Sequence, residues 1–423
     1  MARKMKDSGI EWIGEIPEGW EVIKAKYLFS QRNEKGNPTL VLLSPTQKYG
    51  VIPQSQLEGV VQVKESTDLR VFKTIHIGDF VISLRSFQAG FEFSNYEGVC
   101  SPAYQVFHAT KDLSNDFFRY LFKSDGFISK INSLTVGIRE GKNIQYWDFS
   151  NMLLAVPPKE VQIRSAQYLN TKCSEIDVLL SKTRSSIEEY KKLKQAVITQ
   201  AVTKGVRGER EMKDSGVEWI GGIPEEWNKC KLKNISIDIG DGLHGTPKFD
   251  DSGEVYFING NNFSSEYVEP KFDTKKLCLE ESLNYPKPEL TEQTIMISLN
   301  GSYGKVCLYR YFPMLLGKSA GYITLLPSIN RRYVRYYLSS TPAQIIMTLS
   351  LNGTTIPNLS LNTLYNFPTI LPSASEQAEI ADYLDAKCAE IDGLIANKEQ
   401  LVKELEGYKK SLIYEVVTGK REV

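Results

Sequence analysis

Two sets of side chains in this 423-residue sequence have a spacing that could support catalysis. Ser302 and Lys305 have the Ser-x-x-Lys spacing of a serine acylase, but the companion motifs of such enzymes are missing. Glu140 and Lys142, with Asp125 upstream, could belong to a metal-dependent nuclease cluster. Glu-x-Lys is common by chance, however, and a solvated loop is the favoured interpretation. We therefore predict that the chain has no catalytic site of its own.

Motifs for cofactors and metals are also missing from the sequence. It contains no GxxxxGK[ST] phosphate loop, no GxGxxG and no Asn-Pro-Pro-Tyr or Asp-Pro-Pro-Tyr box of the amino-methyltransferases. The six cysteines are far apart without a CxxC pair, and only three histidines could join them as zinc ligands. Reduced structural thiols are the favoured interpretation. We predict neither a cofactor nor a metal in this chain.

Loops rich in Gly, Asn, Lys and aromatic residues could instead bind nucleic acid. Arg suits guanine, Asn and Gln suit adenine, and Lys or Thr suits phosphate. The alternative is that such loops are ordinary turns, which most Gly- and Asn-rich segments are. We predict DNA contacts for Gln47, Lys48, Tyr49, Arg85, Gln88, Arg139, Lys142, Asn143, His244, Thr246, Lys248, Asn261, Asn300, Tyr303, Lys305, Asn352, Thr354 and Thr355.

The formal net charge is zero, without the basic excess that DNA-binding proteins usually carry. The charge is unevenly distributed, because residues 156 to 211 hold 11 Lys and Arg against 7 Asp and Glu, whereas residues 372 to 423 hold 7 against 11. The two remaining segments are each within one charge of neutral. Any DNA-binding surface there must be a local patch, and the two charged segments are complementary.

The elements that must position these loops occur twice, because the chain is an internal duplication. Residues 5 to 20 (MKDSGIEWIGEIPEGW) match residues 212 to 227 (MKDSGVEWIGGIPEEW) at 13 of 16 positions. A second repeat, at an offset of 215, relates the segment from Tyr168 to Asp177 to the segment from Tyr383 to Asp392. Both halves therefore share one plan.

Each half begins with short β-branched and aromatic runs between turns, such as Asp79 to Ser83 and Thr294 to Ser298, which predict strands. Each half ends in a charged segment with helical periodicity, almost free of Gly and Pro. The predicted fold class is α+β: two mixed α/β domains joined by two long antiparallel coiled-coil helices with pseudo-two-fold duplication. The predicted boundaries are residues 1 to 155, 156 to 211, 212 to 371 and 372 to 423.

Signals at the ends of the helical segments support these boundaries. Ser373 and Glu376 have the spacing of a capping box, and Gly205 and Gly419 follow the last apolar turns. Apolar stripes could be ordinary core packing, but two complementary copies favour mutual pairing of the two helices. The predicted pairing residues are Ile176, Leu179, Ile187, Tyr190, Leu193, Val197, Ile391, Leu394, Leu401, Leu405, Tyr408 and Leu412.

Four features of the sequence resemble the specificity subunits of type I restriction-modification systems. These are the two WIGxIPxxW openings, the GTTIPNL run of residues 353 to 359, the EQAEI run of residues 376 to 380 with EID at 390 to 392, and the YKKSLI run of residues 408 to 413 before VTGK. The resemblance covers essentially the whole chain. The first half departs from it, since Val161 begins the run that replaces the Glu-Gln pair.

No apolar run is long enough to span a bilayer and the start of the sequence lacks the apolar core of a signal peptide, so a cytoplasmic protein is expected. The resemblance implies a non-catalytic protein with two target-recognition domains, each reading one half of a bipartite asymmetric site in double-stranded DNA. The helices would dock two modification (methyltransferase) subunits, and restriction (translocase/endonuclease) subunits would join them. S-adenosylmethionine, ATP and magnesium would be bound by those partners, not by this chain. A self-contained nuclease and a protein-only scaffold are the alternatives, and no membrane partner is expected.

Overall fold

The structure is a computed structural model that describes residues 3–37, 39–57, 68–84, 86–134, 144–351 and 357–423. The chain folds into two compact units. Unit 1 consists of Met1–Arg184 and Gln400–Val423, and unit 2 consists of Ser185–Glu399. Each unit therefore contains one globular part together with portions of both helical segments.

Unit 1 is built on a four-stranded antiparallel sheet in the order β4-β11-β8-β9. Its strands are β1 (Met5–Asp7), β2 (Glu15–Pro17), β3 (Glu21–Lys24), β4 (Phe29–Arg32), β5 (Leu43–Thr46), β6 (Gly50–Pro53), β7 (Lys73–Ile75), β8 (Phe80–Ile82), β9 (Glu92–Phe93), β10 (Gly98–Cys100), β11 (Gln105–Ala109) and β12 (Leu153–Val156). Its helices are α1 (Ser86–Ala89), α2 (Asn115–Leu121), α3 (Asp125–Leu134), α4 (Tyr146–Ser150) and the start of α5 (Lys159–Lys204).

Phenylalanines form the centre of the unit 1 core. Phe80 and Phe107 face each other on β8 and β11 with stacked rings 5.3 Å apart, and Phe29 meets both rings edge to face. Strand pairing in this sheet therefore places aromatic side chains within the distance at which ring pairs attract beyond simple burial. Leu412 and Val416 of the second long helix belong to the same core.

Unit 2 repeats this plan with a four-stranded sheet in the order β16-β22-β19-β20. Its strands are β13 (Met212–Asp214), β14 (Gly222–Pro224), β15 (Asn228–Lys231), β16 (Ser236–Asp241), β17 (Val255–Ile258), β18 (Lys276–Leu277), β19 (Thr294–Ser298), β20 (Val306–Leu308), β21 (Met314–Leu316), β22 (Ala320–Leu325) and β23 (Pro368–Leu371). Its helices are α6 (Leu279–Ser282), α7 (Arg331–Ser339), α8 (Thr341–Leu349), α9 (Leu361–Tyr365) and the start of α10 (Ala374–Val417).

The two units differ where the repeated Trp-Ile-Gly motif meets a long helix. In unit 2 the buried Trp227 donates its Nε1–H to Glu376 at 3.0 Å, and Arg210 pairs with the same carboxylate at 2.5 Å. In unit 1 the corresponding helix residue is Val161, and the Nε1–H of Trp20 has no hydrogen-bond partner among the described residues. The departure of Val161 from the repeat therefore removes a buried polar cluster.

The ends of the long helices agree with the sequence, except at the start of α10. Gly205 and Gly419 have φ values of 78° and 72°, as expected of left-handed residues after a helix. Ser373 accepts a hydrogen bond from the amide of Glu376, as a cap does. The Glu376 side chain does not complete the capping box, because Trp227 and Arg210 bind both of its oxygens.

The two long helices pack antiparallel within each unit. In unit 1 Asp177 pairs with Lys409 and Arg184 with Glu406, while in unit 2 Lys194 pairs with Asp392. Partner numbers fall on α10 as they rise on α5, as antiparallel pairing requires. The predicted α+β class with two paired long helices is confirmed.

The pairing residues were predicted only in part. Ile176, Ile187, Ile391 and Leu412 are buried. The half-buried predicted residues are Tyr190, Val197 and Leu405. The prediction is wrong for five exposed side chains: Leu179, Leu193, Leu394, Leu401 and Tyr408.

The seam that forms lies one residue away from the exposed leucines. On α5 it runs through the buried Leu169, Cys173, Ile176, Leu180 and Ile187, with alternating spacings of four and three in its first part. On α5 the same spacing continues from Ile187 to Lys194, and on α10 it leads back from the buried Leu412 to Lys409. The ammonium group of each lysine binds a carboxylate of the other helix. Lysines at seam positions therefore concealed the true register, because a sequence pattern treats them as solvent-facing.

None of the helices in the described parts of the chain combines the length with the apolar composition that a membrane-spanning segment needs.

Candidate nucleic-acid interface

Strand direction brings several of the predicted DNA-contacting loops to one end of each central sheet. In unit 1 Gln105 pairs with Ile82, and Val106 pairs with Arg32. Strands β4 and β8 therefore end where β11 begins, and the segments that flank these three points lie at the same sheet end. We call this the loop end of unit 1. Helix α1, which follows β8, is part of it.

A β-hairpin tip lies against α1 in unit 1. The Gln47 amide nitrogen donates to the Gln88 amide oxygen at 3.2 Å. The Lys48 ammonium lies 4.9 Å from the centre of the Tyr49 ring, whose side chain is 60% exposed. Two glutamines, an aromatic ring and a cation therefore occupy one exposed surface, which is suited to base edges and phosphate.

The chain conformation at this tip requires glycine. Gly50 has a φ of 72°, and a Cβ atom there would clash with the carbonyl oxygen of Phe93. Thr46 accepts a hydrogen bond from the Tyr49 amide and donates to the Gly50 carbonyl, which closes the turn. The Thr-x-x-Tyr-Gly sequence thus holds Lys48 and Tyr49 outward.

In unit 2, Ser319 connects three segments at the loop end, where β16 and β19 end and β22 begins. Its hydroxyl accepts from the Gly260 amide and donates to the Asn259 side chain, both at 3.0 Å. Its carbonyl accepts from the Leu299 amide at 3.0 Å. The loops that carry Asn261 and Asn300 are therefore fixed against each other.

A fourth segment joins this end of unit 2. The Leu243 amide donates to the Leu316 carbonyl at 2.7 Å, which places the His244 loop beside the segment that carries Lys318. His244 is exposed and lies 2.7 Å from the Asp241 carboxylate. Lys318 is exposed as well and was missed in the sequence. Alignment of the repeats would have identified its segment, because it precedes the strand that matches β11.

The other described residues predicted to contact DNA in unit 2 have different surroundings. Thr246 and Lys305 are exposed, and the Tyr303 hydroxyl lies 3.4 Å from Thr348. Lys248 lies in a depression that is also lined by four carboxylates, those of Asp250, Asp251, Glu280 and Glu281. These carboxylates weaken attraction of a phosphate to Lys248. Seven predicted residues lie outside the described residues: Arg85, Arg139, Lys142, Asn143, Asn352, Thr354 and Thr355.

A groove in unit 1 continues from the hairpin tip to the long helices and contains a buried charge pair. Glu92 lies at its base with a side chain 2% exposed, and Lys123 donates to it at 2.7 Å. Burial raises the pKa of Glu92, although Lys123 opposes this shift. Arg119 and Lys409 also line this groove.

The described part of the chain contains neither a candidate metal-ligand cluster nor an activated thiol at Cys100 or Cys307. No group of three or more His, Cys, Asp or Glu residues there could hold a metal ion. All six cysteines are free, and burial raises the pKa of both Cys100 and Cys307 to about 12. These two thiols are therefore protonated at neutral pH and are poor nucleophiles.

A family model and a known relative both match the sequence of this chain. Residues 224–406 match the family described as the type I restriction modification DNA specificity domain. The type I restriction enzyme MjaVIII specificity subunit of Methanocaldococcus jannaschii is 26% identical over 425 residues, which cover 96% of this chain and 93% of that protein.

Two solved structures share the fold. A chain from a study of complex assembly and conformational transition in the type I R-M system superposes with a TM-score of 0.73 at 17% identity. It covers 96% of this chain and 99% of its own length. The HsdS subunit of Thermoanaerobacter tengcongensis gives a TM-score of 0.54 at 16% identity, covering 96% and 98% of the two chains.

Residues 224–406 are therefore similar to a DNA specificity domain, and the fold of the whole chain is shared with the solved structures compared above. The resemblance of this chain to the specificity subunits of type I restriction-modification systems is confirmed.

Proposed function

We propose that the protein is the DNA sequence-recognition subunit of a type I restriction-modification enzyme and recognises a bipartite, asymmetric DNA site. Unit 1 binds one half-site and unit 2 binds the other. The observation that carries this proposal is the duplication of the loop end: each unit gathers exposed polar side chains at the same end of the same sheet, but with different residues. Two loop ends with a related backbone but different side chains suit two half-sites of different sequence.

The proposal assigns chemistry to partner subunits. Two modification subunits bind S-adenosylmethionine and methylate adenine, and restriction subunits with ATP and magnesium cleave unmethylated DNA in the cytoplasm. This chain itself neither methylates nor cuts DNA. The protonated state of Cys100 and Cys307 fits a non-catalytic role, since neither is poised as a nucleophile.

The exposed apolar side chains of the long helices are the proposed docking surface for the modification subunits. Leu179 in unit 1 and Leu394 in unit 2 are equivalent in the repeat and are 50% and 38% exposed. Tyr408 in unit 1 and Leu193 in unit 2 form a second equivalent pair, 49% and 48% exposed. Exposed apolar side chains at equivalent positions suit two copies of one partner.

Mapping methylated adenines in a genome that expresses this chain with its modification partner tests the proposal. The expected result is methylation within a single two-part sequence with an unspecified spacer, and none when this chain is omitted. Methylation without this chain, or DNA cleavage by the purified chain alone, would contradict it. A protein-only scaffold would give no sequence-dependent methylation.

A further inference from the structure

Three glutamines form a continuous amide chain at the loop end of unit 1. Gln31 on β4 donates to the side-chain oxygen of Gln105 at 3.3 Å, and Gln105 donates to the side-chain oxygen of Gln145 at 2.7 Å. Gln105 is 9% exposed, whereas Gln145 is exposed at the start of α4. The row of hydrogen-bonded amides therefore leads from the sheet to the surface.

One backbone group fixes the direction of all these amides. The N–H of Tyr146 can only donate, and it lies 2.7 Å from the side-chain oxygen of Gln105. The Gln105 nitrogen must then point toward Gln145, whose oxygen accepts from it. Gln31, on the other side, must present its nitrogen to Gln105. The orientation of each amide follows from its neighbour.

This order leaves the Gln145 amide with a defined outward face. Among the described residues, no hydrogen-bond partner is found for its nitrogen, and its oxygen keeps one acceptor lone pair after accepting from Gln105. A base with an acceptor next to a donor complements this face. Adenine presents that combination in the major groove through N7 and N6, and bidentate pairing with an amide is its usual mode of recognition.

The position of these three glutamine amides supports contact with DNA. Gln31 lies at the end of β4, and Gln105 begins β11, so both lie at the sheet end where α1 carries Gln88. In unit 2 the corresponding sheet end carries Ser319 and the loop with His244. A buried glutamine that orients an exposed glutamine also lowers the entropic cost of a specific contact, because the amide is preorganised.

We propose that Gln145 reads an adenine in the half-site bound by unit 1 and that Gln105 is its positioning residue. This inference rests on the proposed function. Gln145→Glu removes the donor to N7 and leaves only acceptors, which suit the N4 amino group of cytosine. Gln105→Glu keeps the contact with Tyr146 but cannot donate to Gln145. The Gln145 amide then turns its nitrogen inward and its oxygen outward.

Selection from a randomised DNA duplex library by the full chain, co-purified with its modification partner, tests this assignment. Both variants are expected to reduce adenine enrichment about five- to 150-fold at the same single position of one half-site. The other half-site should stay unchanged. Gln167→Glu, the same chemical change at an exposed position of α5 in unit 1, should leave the whole selected sequence unchanged.

The outcomes separate this inference from the proposed function. If the wild-type complex selects no two-part sequence, the proposed function itself fails. If it does select one, an unchanged sequence with Gln145→Glu overturns the assignment, as do changes at different positions with the two variants. Should Gln105→Glu not fold, Gln145→Ala leaves the buried amide in place and must make the same position degenerate. Retained adenine preference in that variant also overturns the assignment.

Discussion

The Lys409 ammonium of α10 lies 2.7 Å from the Asp177 carboxylate of α5 in the unit 1 helix pair. Unit 2 contains the repeat-equivalent pair, in which Lys194 of α5 binds Asp392 of α10. The lysine and aspartate positions exchange helices between the units, as a duplicated antiparallel pair requires. One charge pattern, copied with the chain, therefore supports the register of both helix pairs.

Reversing one of these charges should weaken unit 1. Lys409→Asp places a carboxylate next to Asp177, and we expect a loss of about 0.5–1 kcal/mol in the free energy of unfolding, because both groups are partly exposed. Combining it with Asp177→Lys should restore most of the loss. Urea denaturation measures both values, with Lys403→Asp on the same helix as the matched control. Absence of recovery in the double variant would show that the pair does not support the register.

A larger effect is expected at Glu376 in unit 2. Its side chain is 2% exposed and binds both Trp227 and Arg210, so Glu376→Val leaves the Trp227 indole donor without a partner and leaves Arg210 paired with the exposed Glu226. We expect a loss of about 1–3 kcal/mol in the free energy of unfolding. Glu379→Val removes the exposed partner of Arg207 and should cost less than about 1 kcal/mol. Equal losses in the two variants would contradict the role assigned to burial.

Two histidines of unit 1 should give opposite dependences of stability on pH. The Glu34 carboxylate, which accepts from the His76 ring, raises the pKa of His76 above 6.5 in the folded state. The stabilisation is therefore complete below pH 6.5 and is lost as the pH rises through the folded-state pKa. Burial lowers the pKa of His108, so protonation of this residue on acidification opposes folding.

Urea unfolding between pH 5.5 and 8.5 distinguishes these contributions, with the two limits chosen about one to two pH units either side of an ordinary histidine. Replacing His76 with Gln should remove a decline in stability toward high pH, and replacing His108 with Gln should remove a decline toward low pH. Profiles that remain parallel to the wild type in both variants would exclude these couplings.

The exposed leucines of the helices should matter for assembly and not for folding. Leu179→Ser should change the free energy of unfolding by less than about 0.5 kcal/mol, since the side chain is half exposed. It should also remove one copy of the modification partner from the purified complex, measured as mass by native mass spectrometry. Leu180→Ser, at a neighbouring side chain that is 6% exposed, should instead destabilise unit 1 by about 2–5 kcal/mol. Retention of both partner copies by Leu179→Ser would contradict the docking surface.

The parts of this fold that follow from local sequence were predictable, and those that depend on distant partners were not. Strand β19 spans the predicted residues Thr294–Ser298, and the glycines at 205 and 419 end the helices. The seam was misplaced because Lys194 and Lys409 lie in it and bind carboxylates of a helix roughly 200 residues away in sequence. A local sequence pattern cannot identify either of these carboxylate partners.

The same reasoning applies to the candidate site. The hairpin residues Lys48 and Tyr49 were predictable because a turn signal exposes them. Gln105 was missed because it begins a buried strand and its role depends on amides at positions 31 and 145. Ser319 was missed because its contacts join segments that no spacing in the sequence connects. Repeat alignment marks the strand ends but not the side chains that meet there.

Separate reading of two half-sites is the central claim, and exchange of one recognition domain tests it most directly. Residues 212 to 371 would be replaced by the corresponding segment of a related specificity subunit with a different site, and methylated adenines would be mapped in cells that also contain the modification partner. We predict that one half-site changes to that of the donor while the other half-site is retained. A change in both half-sites, or in neither, would contradict the assignment of one half-site to each unit.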